Sequence, residues 1–172
     1  AISRAVQMRI QKYYGRDSVI IYPPVDTERF VPSGRPPGDY YLAGGRLIPY
    51  KRVDLAVRAF TQLGRPLLVY GEGRDLDSLR ALAGPTITFL GHVPWSRLVQ
   101  LFQDCRAFIF PGLEDFGIAP VEAQASGRPV IAYAGGGSLD TVVDGKTGVL
   151  FDEPTVESLT AAVRRFETMT FD

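Results

Sequence analysis

The sequence predicts an α/β fold, a doubly wound and mostly parallel sheet with helices on both faces. Three observations carry this expectation. Short apolar strands alternate with amphipathic helical patterns along most of the 172 residues. Such alternation implies a parallel sheet buried on both sides. Glycines also cluster where the strands end: Gly44-Gly45, Gly71 and Gly73, Gly91, Gly112 and Gly117, and Gly135 to Gly137. In sheets of this kind ligands bind beyond the carboxyl ends of the strands. Five glycine-rich turns on one rim suggest a ligand lying close to the backbone there.

The elements follow in order. Residues 1–14 read as an amphipathic helix, with Ile2, Val6 and Ile10 in register and Gly15 as its stop. Residues 18–22 read as a short strand halted by Pro23-Pro24. Residues 25–38 are irregular and rich in proline and glycine, a linker into the domain proper. Residues 40–43 are a strand, followed by the loop Gly44-Gly45-Arg46-Leu47-Ile48-Pro49-Tyr50. Residues 51–63 form a helix, with Val53, Ala56, Val57 and Phe60 on one face. Strands are then expected at 67–70, 86–90, 107–110, 130–133 and 148–151. Helices are expected at 74–83, 95–103, 117–126, briefly near 138–143, and at 155–168. The domain division is therefore a helix, strand and linker over 1–38 and the α/β domain over 39–172.

Composition narrows the function. One domain of this length can bury a sizeable core. Nineteen basic and nineteen acidic side chains cancel, so no net field argues for a nucleic-acid partner. Cys105 is the only cysteine and His92 the only histidine. No internal disulfide and no zinc cluster is expected, and a His-based metal site or a Ser-His-Asp triad is disfavoured. No apolar run reaches membrane-spanning length and no signal peptide is visible, so a cytoplasmic location is expected. Residue 1 is Ala, and the last residues follow directly on a helix, so we expect a piece of a longer chain.

The stretch from Glu114 to Glu122 is the most informative. It reads Glu114-Asp115-Phe116-Gly117-Ile118-Ala119-Pro120-Val121-Glu122, a turn leading into a helix. Free N–H groups at a helix start attract phosphate or sugar oxygens. The carboxylates of Glu114 and Glu122 flank that anion site, which suits a charged, polyhydroxylated ligand such as a nucleotide sugar. Asp115 is the favoured N-cap. Phe116 is more often a core anchor than a stacking platform. Arg46 offers a planar fork for phosphate oxygens and Lys51 a point charge. Both are also explained as solvated surface cations, as Arg52 beside them is. His92 follows a strand and could touch a base or phosphate, but a lone histidine in a loop is more often an ordinary surface residue. Gly71-Glu72-Gly73 is a fragment of a dinucleotide fingerprint without its third glycine, which argues against a nicotinamide enzyme.

Taken together, the segments resemble the donor-binding half of a retaining glycosyltransferase of the GT-B fold, the group that includes mannosyltransferases and sucrose synthases. The resemblance spans nearly the whole chain. It rests on the segment from Ile21 to Phe30, on Gly45-Arg46-Leu47 with Lys51-Arg52, and on Gly71-Glu72-Gly73. Phe89-Leu90-Gly91, Glu114 through Glu122, the segment from Ala125 to Val130, and Gly135 to Gly137 with Gly145 to Gly148 complete it. The resemblance implies a Rossmann-like domain, one half of a GT-B fold. It implies that Arg46 and Lys51 neutralise the donor diphosphate, with Glu114 on the sugar hydroxyls and Glu122 on the ribose. The backbone of Phe116, Gly117 and Ile118 would support the phosphates, Gly45 and Gly71 would line the donor, and Gly91, His92 and Val93 would frame the base. No cofactor or metal is implied, because cations take the metal's role. Transfer of a hexose with retention would use the leaving phosphate to help deprotonate the acceptor, which is electrostatics and positioning rather than covalent catalysis.

The implied partners are a GDP-, UDP- or ADP-sugar and an N-terminal acceptor domain, and membrane association would come only through that domain. The Tyr22-Pro23-Pro24-Val25-Asp26-Thr27 segment leans toward GDP-mannose. Without the N-terminal half, little or no transfer is expected. The rivals are a nucleotide-sugar-binding module without catalysis and a sugar-nucleotide epimerase on the same fold.

Overall fold

The structure is a computed structural model that describes residues 1–171. Its centre is a parallel sheet of six strands in the order β3-β2-β1-β4-β5-β6. The strands are β1 (Tyr41–Gly44), β2 (Leu67–Tyr70), β3 (Ile87–Gly91), β4 (Phe108–Phe110), β5 (Val130–Tyr133) and β6 (Gly148–Phe151). The helices are α1 (Arg4–Tyr14), α2 (Val53–Leu63), α3 (Leu76–Leu82), α4 (Trp95–Asp104), α5 (Ile118–Ala125), α6 (Ser138–Thr141) and α7 (Val156–Glu167).

Alternation along each strand feeds two cores. Tyr41, Ala43, Val69, Ile109, Ile131 and Val149 point to one face and meet Phe60 of α2 and Leu159 and Val163 of α7. Leu42, Phe108, Phe110, Val130 and Ala132 point to the other, against Phe102 of α4 and Ala123 of α5. Each fully buried large apolar side chain contributes about 1.5–3 kcal/mol, so a strand apolar on both faces is stable only between two helical layers.

The chain reverses its direction of growth between β1 and β4, where Leu42 pairs with Phe108. A crevice opens beyond the carboxyl ends of strands at such a switch point, because the connections leave in opposite directions. The loop after β1 and the loop after β4 therefore face each other there.

Two expectations are corrected. The strand over 18–22 does not form. Its apolar residues are right for a strand, but no neighbouring strand supplies a ladder, and Val19 and Ile21 stand 77% and 75% exposed. The segment instead runs back beside the start of α1, with Ile21 N–H donating to the Ala1 carbonyl at 2.8 Å. The helix expected from Lys51 begins at Val53, after a 3-10 turn over Pro49–Lys51. Arg52 breaks the two apart with φ 51°, the only non-glycine residue of positive φ among the described residues.

The linker is strapped down. Phe30 is 2% exposed and lies edge-on to Phe102, with ring centroids 5.8 Å apart. Arg128, 9% exposed, donates from Nε to the Gln103 carbonyl at 2.6 Å and from Nη2 to the Arg35 carbonyl at 2.8 Å.

Helix α1 lies on the carboxyl rim. Its cap Ser3 accepts from the Val6 N–H, and Gly15 ends it in the left-handed region. Asp140 of α6 accepts from the Arg4 N–H at 2.7 Å, with its side chain 1% exposed. The Arg4 Nε is 3.2 Å from the other carboxylate oxygen, near enough for charge but misaligned for a hydrogen bond. No helix among the described residues is long and apolar enough to cross a membrane.

Candidate functional site

The loop after β1 is held from below and free above. Leu47 is fully buried, and its N–H donates to the Glu72 carbonyl at 2.9 Å. That anchor leaves Arg46 exposed, without an ion pair among the described residues. At Gly45, φ is 116° and a side chain would meet open space, so the backbone presents itself to the crevice. Arg52, in the left-handed region, ends the 3-10 segment, with its N–H donating to the Pro49 carbonyl. Arg52 itself pairs with Asp54 through two hydrogen bonds, the ordinary surface fate of such a cation.

Across the switch point, Lys51 Nζ forms an ion pair with Glu114 Oε1, the two side chains being 20% and 17% exposed. This pair ties the two loops together. Gly112 makes the approach feasible, since a Cβ there would stand 2.9 Å from the Lys51 Cα and carbonyl and from the Tyr50 carbonyl. The Glu114 carbonyl also accepts from the Gly137 N–H at 2.8 Å, so the loop after β5 braces the same segment.

Asp115 is not the N-cap. Helix α5 starts at Ile118, and Gly117 holds the cap position with φ 84° and no side chain to accept a hydrogen bond. Asp115 lies two residues too early and pairs with Arg9 of α1 instead. The helix start is thus uncapped. The N–H groups of Ile118 and Ala119 have no acceptor among the described residues, and Pro120 has no N–H to offer. Uncapped donors at a helix N-terminus carry a partial positive charge and face the crevice. Phe116 is 6% exposed and packs beside Tyr22, with centroids 5.8 Å apart, so it is a core anchor.

Glu122 lies in the second turn of α5 and is half-buried. Burial pushes its carboxyl up from the ordinary range, and no cation or donor offsets that among the described residues. Glu114 has its lysine, whereas Glu122 has only solvent.

Arg46, Lys51, Glu114, Phe116, Gly117, Ile118 and Glu122 thus come from the two loops of the switch point and the helix behind them. Gly71 joins them indirectly. Its N–H donates to the Gly91 carbonyl at 2.7 Å, and a Cβ there would collide with the Gly45 carbonyl. Contact between the two loops is by itself enough to require glycine there. Gly91, His92 and Val93 end β3, the edge strand two places from β1 on the same rim, with His92 exposed. No pattern along the chain singles out Asp140, whose partner lies 136 residues away, or Tyr70, the last residue of β2.

A cavity of about 360 Å³ adjoins the site between α1 and the loop after β4, lined in part by Met8, Tyr13, Leu113 and Glu114. A second of about 390 Å³ lies at the opposite end of the sheet, beside Arg106 and Arg128.

A parallel sheet with this strand order and a crevice at its switch point is the doubly wound, Rossmann-like arrangement. Comparison with known proteins gives the family directly: the chain belongs to the glycosyl transferases group 1, whose pattern matches residues 25–170. It is 30% identical to a GDP-mannose-dependent α-(1-6)-phosphatidylinositol monomannoside mannosyltransferase of Mycolicibacterium smegmatis, over 94% of this chain and 50% of the relative. It is 35% identical to a D-inositol 3-phosphate glycosyltransferase of Nocardia farcinica, over 83% of this chain and 38% of the relative. The chain spans about half or less of the length of these curated relatives. Among solved structures, Thermosynechococcus elongatus sucrose-phosphate synthase matches with a TM-score of 0.86 at 23% identity, over 98% of this chain and 48% of that one. Anabaena HepE in complex with UDP matches at 0.85 and 22% identity, over 98% of this chain and 53% of that one. These likenesses establish an α/β Rossmann-like fold that matches one half of GT-B glycosyltransferases.

Proposed function

We propose that this chain is the donor-binding half of a retaining hexosyltransferase and holds a nucleoside diphosphate sugar over the carboxyl ends of β1 and β4. The observation that carries the reading is a half-buried carboxylate without a partner, Glu122, behind an uncapped helix start. An anion seats on the free N–H groups, and hydroxyls satisfy the carboxylate. No single simple ion does both, whereas a nucleoside diphosphate does.

In this reading the diphosphate lies against Gly117 and Ile118 and draws Arg46 and Lys51 onto its oxygens. Lys51 then exchanges part of its pairing with Glu114 for the phosphate, which frees Glu114 to accept from sugar hydroxyls. The cations and the helix start are worth most as charge develops on the leaving diphosphate, so they lower the barrier as well as bind. No metal or other cofactor is needed for that charge. Glu122 takes the ribose, and Gly45, Gly71 and Gly91 to Val93 border the nucleoside.

The mannosyltransferase relative named above uses GDP-mannose, which supports a GDP-mannose donor here. Residues 39–172 form the nucleotide-sugar-binding unit in this proposal, and 1–38 the segment leading to an N-terminal acceptor domain. The acceptor is held by that domain, so this chain alone binds donor and transfers little. We place the protein in the cytoplasm, where nucleotide sugars are at hand.

Calorimetric titration with GDP, UDP and ADP, each with and without an attached sugar, tests the proposal. Saturable binding of one of them is expected, with GDP the tightest. Failure of all of them to bind would contradict it.

A further inference from the structure

Tyr70 closes β2 at the carboxyl rim, one strand from the switch point. Its side chain is 8% exposed, and its ring is wedged in place. A Cβ on Gly44 would stand 2.6 Å from the Tyr70 Cδ1 and 2.8 Å from its Cγ, so the ring lies directly against the turn that leaves β1. Phe102 meets it edge-on with centroids 6.2 Å apart. The ring shares an apolar cluster with Ala123, the neighbour of Glu122 on α5. Burial above all, with the negative charges of Glu122 and Glu114 adding to it, holds the phenol's proton far above the ordinary tyrosine range.

A buried tyrosine normally finds a partner for its hydroxyl. The two other tyrosines next to β1 do so: Tyr40 donates to the Leu101 carbonyl at 3.0 Å and Tyr41 to Glu167 at 3.2 Å. Tyr70 is the exception. Its hydroxyl makes no hydrogen bond of the kind Tyr40 and Tyr41 make, among the described residues, yet it is not among the polar atoms sealed from solvent. The ring is held by its packing at the carboxyl rim, and the hydroxyl is neutral and keeps a narrow exposure there.

We infer that Tyr70 is a further donor-binding residue, whose hydroxyl hydrogen-bonds the ribose held by Glu122. The chemistry is complementary. An ionised carboxylate only accepts, while a ribose hydroxyl both donates and accepts. Glu122 takes the ribose hydrogen and Tyr70 supplies one to a ribose oxygen. The inference rests on the donor-binding function proposed above.

The test compares the chain with its Tyr70→Phe variant, which keeps the ring and its packing. Each is titrated with GDP and with inorganic pyrophosphate, and its thermal midpoint is measured. GDP should bind the variant about tenfold more weakly, the effect of one hydrogen bond. Pyrophosphate affinity should not move, and the midpoint should hold or rise slightly, since the variant keeps the packing and sheds an unpartnered hydroxyl. Unchanged GDP affinity in a chain that does bind GDP would overturn the role of Tyr70 and leave the donor site standing. Equal losses for GDP and pyrophosphate would overturn it as well, by showing a general disturbance of the rim. No binding of GDP by the unaltered chain would overturn the donor-site reading, and the role of Tyr70 with it.

Discussion

Glu122→Gln should make this protein more stable and a poorer binder at the same time. The carboxylate is about half removed from water, with no cation or donor to repay the loss of hydration. Burying a charge without a partner costs more than burying a neutral polar group of the same shape, and at a half-buried, partly screened site that difference is on the order of 1 kcal/mol. Glutamine keeps the shape and removes the charge. In a chain of this size a gain of that order raises the thermal midpoint by roughly 2–4 °C. The pH dependence has a definite sign. Burial raises the folded-state pKa of Glu122 above its unfolded value. The cost is therefore fully present above the folded-state pKa, and it vanishes as pH falls below the unfolded one. The variant's advantage should be complete at pH 7 and absent in acid below the usual carboxylate range. The same substitution removes a charged acceptor for the ribose, so GDP affinity should fall about tenfold or more. Thermal melts across pH, paired with calorimetry at neutral pH, read both effects. A midpoint at pH 7 equal to or below that of the unaltered chain would refute the claim that Glu122 lacks a partner. Unchanged affinity would refute its ribose role.

Three other perturbations follow from the same geometry. Replacing Arg46 and Lys51 together by Ala should weaken pyrophosphate and GDP strongly while leaving weak nucleoside binding intact, as paired titrations would show; equal loss for a nucleoside would contradict the assignment. Gly112→Ala drives a methyl group into the backbone of Tyr50 and Lys51, and should cost about 1–3 kcal/mol in denaturant melts and loosen the Lys51–Glu114 contact; a midpoint unchanged within error would show that the two loops do not touch. Arg128→Ala strips the donors from the Gln103 and Arg35 carbonyls, and limited proteolysis should then cut first within 31–38; protection equal to the unaltered chain would mean that Phe30 alone holds the linker.

The sheet was legible because its signal is local. Strands at 130–133 and 148–151 match their apolar runs residue for residue, and Thr155 caps α7 where the pattern starts. The strand over 18–22 failed for a nonlocal reason, since its composition is that of a strand but pairing needs a neighbour. Asp115 failed because a cap is defined by where the helix begins, and the backbone at Gly117 sets that point. The rim glycines were found, but sequence does not separate a glycine that admits a ligand from one that admits another loop. A side chain at Gly45 would meet open space, whereas one at Gly71 would meet the Gly45 carbonyl. The ion pair between Lys51 and Glu114 joins residues 63 apart, and no spacing rule along the chain reveals it. Tyr70 was hidden for the opposite reason, because its feature is a hydrogen bond that is not made.

Mapping GDP onto the backbone amides by NMR chemical-shift perturbation tests the central claim most directly. The account predicts that Gly45, Gly117 and Ile118 shift most, with the amides around Arg106 and Arg128 at the opposite end of the sheet unmoved. Shifts concentrated at that opposite end, or none at the loops after β1 and β4, would contradict it.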